Sequence, residues 1–265
     1  MKEPTRLSAI SDFNEEDGSV TESLLSVQLY TVREALQADL PGTLVRLAEL
    51  GFTQVEAFNI VGLQGLGEGL AAAGLTTPTA HQRFVAEEQE PIFEKAAGLG
   101  IRTLIDPHIA EERWQTADGV KAIVDDLAAA AEKAKEFGLA IGYHNHAFEF
   151  ETKIDGRPSY ELFAEQLPEG IALELDTYWA AVGGTDPVAL LGELGSKVIA
   201  LHVKDGPATH ENKDQVAVGS GSLPIRSIIE AAPSALRVIE LDDSRGDRFQ
   251  AVADSVAFLK AEGLA

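Results

Sequence analysis

The stretch AIGYHNHAFEFE, residues 140–151, begins as an apolar run and then changes into polar and aromatic side chains. Its first residues have the character of a buried strand, and His144 and His146 follow with a single residue between them. The chain contains six histidines, so this short segment holds a third of them. Parallel α/β proteins place functional side chains at the carboxyl ends of their strands. The segment therefore predicts a strand that delivers two imidazoles to a functional site.

The rest of the chain repeats this pattern from Leu24 onward, with short apolar runs that alternate with helical segments. In LPGTLVRLAELG (residues 40–51), apolar residues recur at helical spacing and a glycine suited to a helix C-cap follows. Strands that alternate with helices indicate parallel strands joined by right-handed crossovers. The predicted strands are Leu25–Leu29, Gln54–Phe58, Thr77–His81, Thr103–Asp106, Ala140–His144, Ile171–Leu175, Val198–Val203 and Leu236–Leu241.

Eight such units in roughly 240 residues match a closed (β/α)8 TIM barrel, which typically has ~250 residues. An open, doubly wound sheet is the alternative, but no G-x-G-x-x-G motif follows the first strand. We therefore predict a single α/β domain, a (β/α)8 barrel over residues 24–265. Residues 1–23 are polar and acidic, and they predict a mobile N-terminal extension.

Composition excludes several classes of protein. A hydrophobic fraction of 45% in 265 residues is ample for a core, and the absence of cysteine excludes disulfides and thiolate metal sites. The net charge of -22 disfavours nucleic acid and anionic membrane surfaces as partners, and it argues against a DNA-repair endonuclease on this barrel. No apolar run is long enough to span a bilayer and residues 1–23 have no secretory h-region, so we expect a cytoplasmic protein.

Polar side chains occur at or near the carboxyl end of every predicted strand. In a closed parallel barrel these ends meet on one face, so the side chains should converge there. Imidazoles and carboxylates without thiolates suit a divalent metal ion. The series comprises Gln28, Glu56, His81, Asp106, His108, His144, His146, Asp176, His202 and Glu240.

Two charged residues, one within this series and one beside it, stand out because of their surroundings. Glu56 lies within the apolar run VEAF, where a carboxylate is costly to bury unless it is paired or catalytic. Lys204 follows His202 by two residues and should project to the same side, where it is suited to act as an electrophile or as an acid with a shifted pKa.

With these residues in place, the sequence resembles the sugar phosphate isomerase/epimerase-like family, the xylose-isomerase-like barrels. The resemblance covers residues from about 24 to 265 and implies a single (β/α)8 barrel with one divalent metal ion at its mouth. The implied ligands are His144, Asp176, His202 and Glu240, and Mn2+ is favoured over Mg2+, Co2+ and Zn2+. The stretches that carry it are SVQLYTVREALQADLPGTLVRLAELGFTQVEAF, GYHNHAFEFE, LELDTYWAAVGGTDPVALL, ALHVKDG and VGSGSLPI.

One ligand position departs from the family pattern. Ketose epimerases of the family have a glutamate where this chain has His144, and they use two metal-bound glutamates as an acid/base pair, of which only Glu240 remains. A single base still suffices for proton abstraction next to a carbonyl through a metal-stabilised enediolate. The candidates for acid/base and electrophilic roles are Glu240, His146, Lys204 and Glu56. If His144 is not a ligand, it is itself suited to be the second acid/base, because the pKa of an imidazole lies near the operating pH.

The predicted function is therefore that of a metal-dependent isomerase or epimerase of a non-phosphorylated sugar or keto-sugar. A metal-dependent lyase or dehydratase acting on a 3-keto-glycoside or keto-polyol is the alternative, and a non-catalytic sugar-binding barrel is a distant one. We expect no phosphate because no Gly-rich anion-binding loop opens the last helix. The resemblance also suggests a homo-oligomer. The predicted substrate-binding residues are Gln28, Tyr30, His81, His108, Trp114 and Trp179.

Overall fold

The computed structural model describes residues 23–265, and it confirms the predicted barrel. The predicted N-terminal extension lies outside the described residues, apart from Ser23. Residues 23–265 contain eight parallel barrel strands, numbered here in chain order. They are β1 Leu25–Val27, β2 Gln54–Phe58, β3 Thr76–His81, β4 Thr103–Asp106, β5 Ala140–His144, β6 Ile171–Asp176, β7 Val198–Val203 and β8 Leu236–Ile239.

The strands pair in the order β1-β8-β7-β6-β5-β4-β3-β2, and every pair in this sheet is parallel. A parallel bridge between Gln28 and Glu56 joins the two ends of this order, which closes the barrel. The alternative of an open, doubly wound sheet is therefore excluded. Closure brings all eight carboxyl ends to one face.

Helices cover the outside of the barrel. The helix predicted over LPGTLVRLAELG ends as expected, because Gly51 follows it at a φ of +96°, a conformation that glycine adopts without strain. The α-helices are Arg33–Ala38, Leu40–Glu49, Leu66–Ala73, Gln89–Gly98, Ala117–Ala134, Phe148–Glu151, Ser159–Gln166, Thr177–Val182, Pro187–Leu194, Ile225–Ala231 and Arg248–Ala261. The 3-10 helices are Leu29–Val32, Glu111–Trp114, Lys135–Phe137, Gly195–Lys197 and Asn212–Asp214, and a short hairpin pairs Lys153–Ile154 with Arg157–Pro158.

Four strands differ from the predicted bounds. β3 begins one residue earlier, at Thr76, and β8 ends two residues earlier, at Ile239, whereas at β1 and β6 a side chain caps the next element. β1 ends at Val27 because the Gln28 side chain accepts a hydrogen bond from the Tyr30 amide and starts a 3-10 turn. β6 runs on to Asp176, whose carboxylate accepts from the Trp179 amide and caps the following helix. Within residues 23–265, no helix combines the length and the apolar character needed to cross a membrane.

Asn145, the middle residue of the HNH motif, connects β5 to β6 beyond the end of the strand pairing. Its Oδ1 accepts a hydrogen bond from the Asp176 amide at 3.0 Å, and its Nδ2 donates to the Asp176 carbonyl oxygen at 3.1 Å. Asn145 and Asp176 are both fully buried. The Asn145 side chain thus replaces a pair of strand hydrogen bonds, and it fixes the backbone of Asp176 relative to His144.

Replacement of Asn145 by alanine should lower the free energy of unfolding by roughly 2–4 kcal/mol, because it leaves a buried amide and a buried carbonyl without partners. Denaturant titration followed by circular dichroism measures this change. The exposed Asn212 provides the control, and Asn212→Ala should stay within about 0.5 kcal/mol of the parent protein. Equal stabilities of the two variants would contradict the role given to Asn145.

Candidate metal centre and cavity

A cavity of about 680 Å3 opens at the carboxyl ends of the strands. One side of it is apolar and includes Tyr30, Phe58, Val61 and Ile92. Tyr30 and Phe58 pack edge to face with ring centroids 5.3 Å apart. The other side is polar and is formed by His81, His108, His144, His146, Glu240 and Asp242.

The four residues predicted as metal ligands lie together, and two of them, His144 and Glu240, line this cavity. Each of His144, Asp176, His202 and Glu240 offers one ligand atom, and these atoms lie within 4.8 Å of one another. All four residues are buried. The arrangement follows from parallel pairing. His144, Asp176 and His202 lie in the neighbouring strands β5, β6 and β7, and Glu240 directly follows β8, which pairs with β7.

Lys204 neutralises part of the charge beside this set. Its ammonium lies 2.8 Å from Asp176 Oδ2, 2.8 Å from Glu240 Oε2 and 2.8 Å from Asp242 Oδ2. Burial lowers the pKa of Lys204, but these three carboxylates outweigh burial and hold the pKa well above its usual range. Lys204 therefore stays charged and is a poor proton donor, so its position fits charge stabilisation better than the predicted acid role.

Glu240 and His146 both line the cavity, and the pKa of each is lowered from its usual value. Burial raises the pKa of Glu240, but Lys204 and His202 outweigh burial and hold it well below its usual range. Burial, assisted by Lys204, lowers the pKa of His146 to about 3. At neutral pH the site thus presents a carboxylate and a neutral imidazole to a bound molecule.

A second group of charged side chains lies beneath the ligand set. Glu174 Oε2 is within 3.1 Å of nitrogens of His144 and His202, and it is 2.5 Å from His81 Nε2. Glu56 Oε1 lies 2.7 Å from His202 Nε2. Both glutamates are fully buried and neither lines the cavity, which places Glu56 out of reach of the predicted catalytic contact with substrate.

Glu174 is the member of this group that the sequence prediction missed. It lies within β6, two residues before Asp176, so both side chains share the inward face of the strand. A carboxylate in the apolar run IALEL is the same signal that identified Glu56. Asp242, two residues beyond Glu240, is a further cavity residue that was not predicted.

The structure brings Tyr30, His81 and His108 to the cavity, as predicted for substrate-binding residues. The other three predicted residues do not line it. Gln28 is buried and donates a hydrogen bond from Nε2 to Glu56 Oε1 at 2.8 Å, so its amide is already engaged.

Both tryptophans pack into the protein instead of facing the cavity. The fully buried ring of Trp114 lies 5.3 Å from the ring of Tyr143 and 5.2 Å from that of Phe163, and its Nε1 donates to the Ile109 carbonyl. The ring of Trp179 packs 5.4 Å from Tyr178. Because both tryptophans lie near strand ends in the sequence, they were predicted to line the mouth of the barrel, but their rings pack against other aromatic side chains instead.

Comparisons with known proteins agree with this fold. The family described as xylose isomerase-like TIM barrel matches residues 46–262. An inosose dehydratase of Lacticaseibacillus casei is 24% identical over 132 residues, which cover 47% of this chain and 41% of that protein. The chain therefore spans about two fifths of the length of this relative.

Solved structures share the barrel over most of the chain. A sugar phosphate isomerase/epimerase from Parabacteroides distasonis is 24% identical with a TM-score of 0.74, and the alignment covers 94% of this chain and 98% of that one. A zinc-bound structure of the IOLI protein is 15% identical with a TM-score of 0.65 and coverages of 91% and 96%. At such identities the likeness shows the fold.

Glu149 is a buried glutamate on the wall behind the cavity. Its Oε1 accepts from the Tyr143 hydroxyl at 2.6 Å, and its Oε2 accepts from the His146 amide at 2.8 Å. Burial raises the pKa of Glu149 to about 8 in spite of these hydrogen bonds. The folded protein therefore holds a proton on Glu149 that the unfolded chain releases above its ordinary pKa of 4.5.

This difference predicts that stability falls as pH rises from about 4.5 to about 8, by up to ~5 kcal/mol from this group. Glu149→Gln, which cannot titrate, should lose this contribution and show a flatter dependence. Urea unfolding at several pH values between 5 and 8.5 measures both slopes. Parallel slopes for the parent and the variant would contradict the raised pKa.

Proposed function

The chain belongs to the xylose isomerase-like TIM barrel family, and from this premise we propose that it is a divalent-metal-dependent enzyme. It acts on a non-phosphorylated sugar or keto-sugar and moves a proton next to a carbonyl group. Isomerisation or epimerisation is the reaction that we propose first. The observation that carries the proposal is the buried set of His144, Asp176, His202 and Glu240, two of which, His144 and Glu240, line the cavity.

The residues present fit a divalent ion. Two imidazoles and two carboxylates form a ligand set without thiolates, which is compatible with Mn2+, Mg2+, Co2+ or Zn2+. Charge supports the same assignment. The cluster holds four buried carboxylates: Asp176 and Glu240 pair with the ammonium of Lys204, whereas Glu56 and Glu174 pair with imidazoles. Burial lowers the pKa of His202, but Glu174 and Glu240 outweigh burial and hold it well above its usual range, and the same negative surroundings favour a divalent cation. We propose Mn2+ as the ion, and the zinc-bound IOLI protein supports a divalent metal in barrels of this fold.

Each side chain has a role that follows from its position. When bound, the ion supplies Lewis-acid polarisation of a carbonyl or hydroxyl oxygen of the substrate. Glu240, the carboxylate of the set that lines the cavity, takes the proton next to the carbonyl. His146 is neutral and faces the same cavity, so it is suited to accept a hydrogen bond from a substrate hydroxyl. Lys204 holds Asp176 and Glu240 in place.

The cavity supports a neutral substrate with an apolar part. Arg83 is the one arginine or lysine among the cavity-lining residues of the described chain, which gives little support for phosphate. The polar side suits sugar hydroxyls, whereas Tyr30, Phe58 and Val61 suit an apolar sugar face or substituent.

A lyase or dehydratase is the second candidate, and two observations favour it. His144 occupies the position where the resemblance implies a second glutamate, so Glu240 lacks the partner that a two-carboxylate epimerisation uses. The apolar side of the cavity also suits the substituent of a 3-keto-glycoside. The similarity to an inosose dehydratase supports elimination from a keto-polyol.

Incubation of the Mn2+-loaded protein with keto-sugars and 3-keto-glycosides in D2O tests the proposal. NMR should show deuterium at the carbon next to the carbonyl for an isomerase or epimerase. An unsaturated product or a released aglycone would identify the lyase instead. Glu240→Gln should reduce the exchange rate at least ~100-fold, because it removes the base.

The surface variant Glu132→Gln is the control for that experiment, and it should react like the parent protein. Absence of exchange and of product over the whole panel would contradict the proposed chemistry. Unchanged exchange in Glu240→Gln would instead contradict the role of Glu240 alone.

A further inference from the structure

Glu56 and Glu174 lie beneath the ligand set and have no contact with the cavity that would let them touch a substrate. Glu56 comes from β2 and Glu174 from β6, on opposite sides of the barrel order. Glu56 Oε2 and Glu174 Oε1 have no hydrogen-bond partner among the described residues. A buried carboxylate that is only partly satisfied is costly, so its presence calls for a function.

Glu174 contacts both histidines of the ligand set, at His144 Nδ1 and at His202 Nε2, and Glu56 contacts His202 at the same Nε2. These are the ring nitrogens that face away from the other ligands. His144 has Nδ1 at 3.1 Å from Glu174 Oε2, whereas its Nε2 faces Asp176 Oδ2 at 3.9 Å. His202 has Nε2 at 2.7 Å from Glu56 Oε1, whereas its Nδ1 faces Glu240 Oε2 at 2.5 Å. In both imidazoles one nitrogen contacts a glutamate of the lower layer and the other faces a carboxylate of the ligand set. The nitrogen that contacts the lower glutamate is Nδ1 in His144 and Nε2 in His202.

We propose that Glu174 and Glu56 are positioning residues that fix the orientation and the tautomer of His144 and His202 as ligands of the divalent ion. A neutral imidazole donates from one nitrogen and has a lone pair on the other. With a proton on His144 Nδ1 and on His202 Nε2, both donate to a glutamate, and the lone pairs of His144 Nε2 and His202 Nδ1 face the ligand set. Carboxylates that accept from ligand histidines in this way raise the basicity of the ligand.

His81 and Gln28 hold the two glutamates in place. His81 Nε2 lies 2.5 Å from Glu174 Oε2 and 3.3 Å from Glu56 Oε1, and the His81 ring stacks on that of His202 with centroids 5.0 Å apart. Gln28 Nε2 donates to Glu56 Oε1 at 2.8 Å. Two residues predicted from sequence to bind substrate therefore support the layer under the metal.

The competing interpretation is a second metal ion in this lower layer. The ligand atoms of His81, His144, Glu174 and His202 also lie within 4.8 Å of one another. Positioning is favoured because the lower histidine nitrogens each lie within hydrogen-bond distance of a glutamate oxygen.

Titration of chelator-stripped protein with Co2+ tests the proposal, which rests on the proposed metal-dependent function. Calorimetry gives the affinity and stoichiometry, and the visible absorption of Co2+ reports the geometry of its ligands. The parent should bind one equivalent. Glu174→Gln and Glu56→Gln, which keep the side-chain size, should each bind Co2+ roughly 10- to 100-fold more weakly and shift the absorption bands.

Glu149→Gln is the matched control, since Glu149 is equally buried and contacts none of the four ligand side chains. It should bind Co2+ within about twofold of the parent. Should the Gln variants not fold, long-range 1H–15N correlation spectra of the Zn2+-loaded parent read the same property directly. They should show protons on His144 Nδ1 and His202 Nε2.

The outcomes are distinct. A parent protein that binds no Co2+ would overturn the proposed metal-dependent function and the positioning role together. A parent that binds one equivalent while both Gln variants match the control, or that shows the opposite tautomers, would overturn positioning alone. Two equivalents in the parent and one in Glu174→Gln would replace positioning by a second metal site.

Discussion

The burial of four carboxylates is the constraint on which the functional end of this barrel depends. Parallel strand pairing forces Glu56, Glu174, Asp176 and Glu240 into one interior, where each carboxylate needs a cationic or hydrogen-bonding partner. One ammonium and three imidazoles supply those partners in the described chain. The negative charge of the carboxylates and the lone pairs of the ligand atoms of His144, Asp176, His202 and Glu240 together suit a divalent cation.

The same constraint separates the site into layers with different tasks. The lower layer contains the fully buried Glu56 and Glu174, which contact the ligand histidines, and His81, which contacts both glutamates and also lines the cavity. The middle layer contains the four proposed ligands, and Asn145 fixes one of them through the backbone of Asp176. His144 and Glu240 of this layer line the cavity together with His146, and Glu240 is the group proposed to take a proton.

Much of this arrangement can be predicted from sequence. Eight alternating strand and helix units predict a closed barrel, and a closed parallel barrel brings the carboxyl ends of its strands together on one face. Four of the eight strands have the predicted bounds, and the four proposed ligands lie together as expected. The sequence does not indicate whether an aromatic side chain near a strand end faces the cavity or the core. Trp114 lies in the segment after β4, yet its ring packs against Tyr143 and Phe163. Nor does it separate a carboxylate that touches substrate from one beneath the site, which is why the role of Glu56 differs from the prediction.

The proposed function and the proposed positioning roles both require a mononuclear divalent metal centre at the strand ends of this barrel. Anomalous diffraction from crystals of chelator-stripped protein soaked in Mn2+ both locates and counts the bound ions. We expect one anomalous peak per chain, in contact with His144, Asp176, His202 and Glu240. A map without a peak there, or with its peak among Glu56, His81 and Glu174, would contradict it.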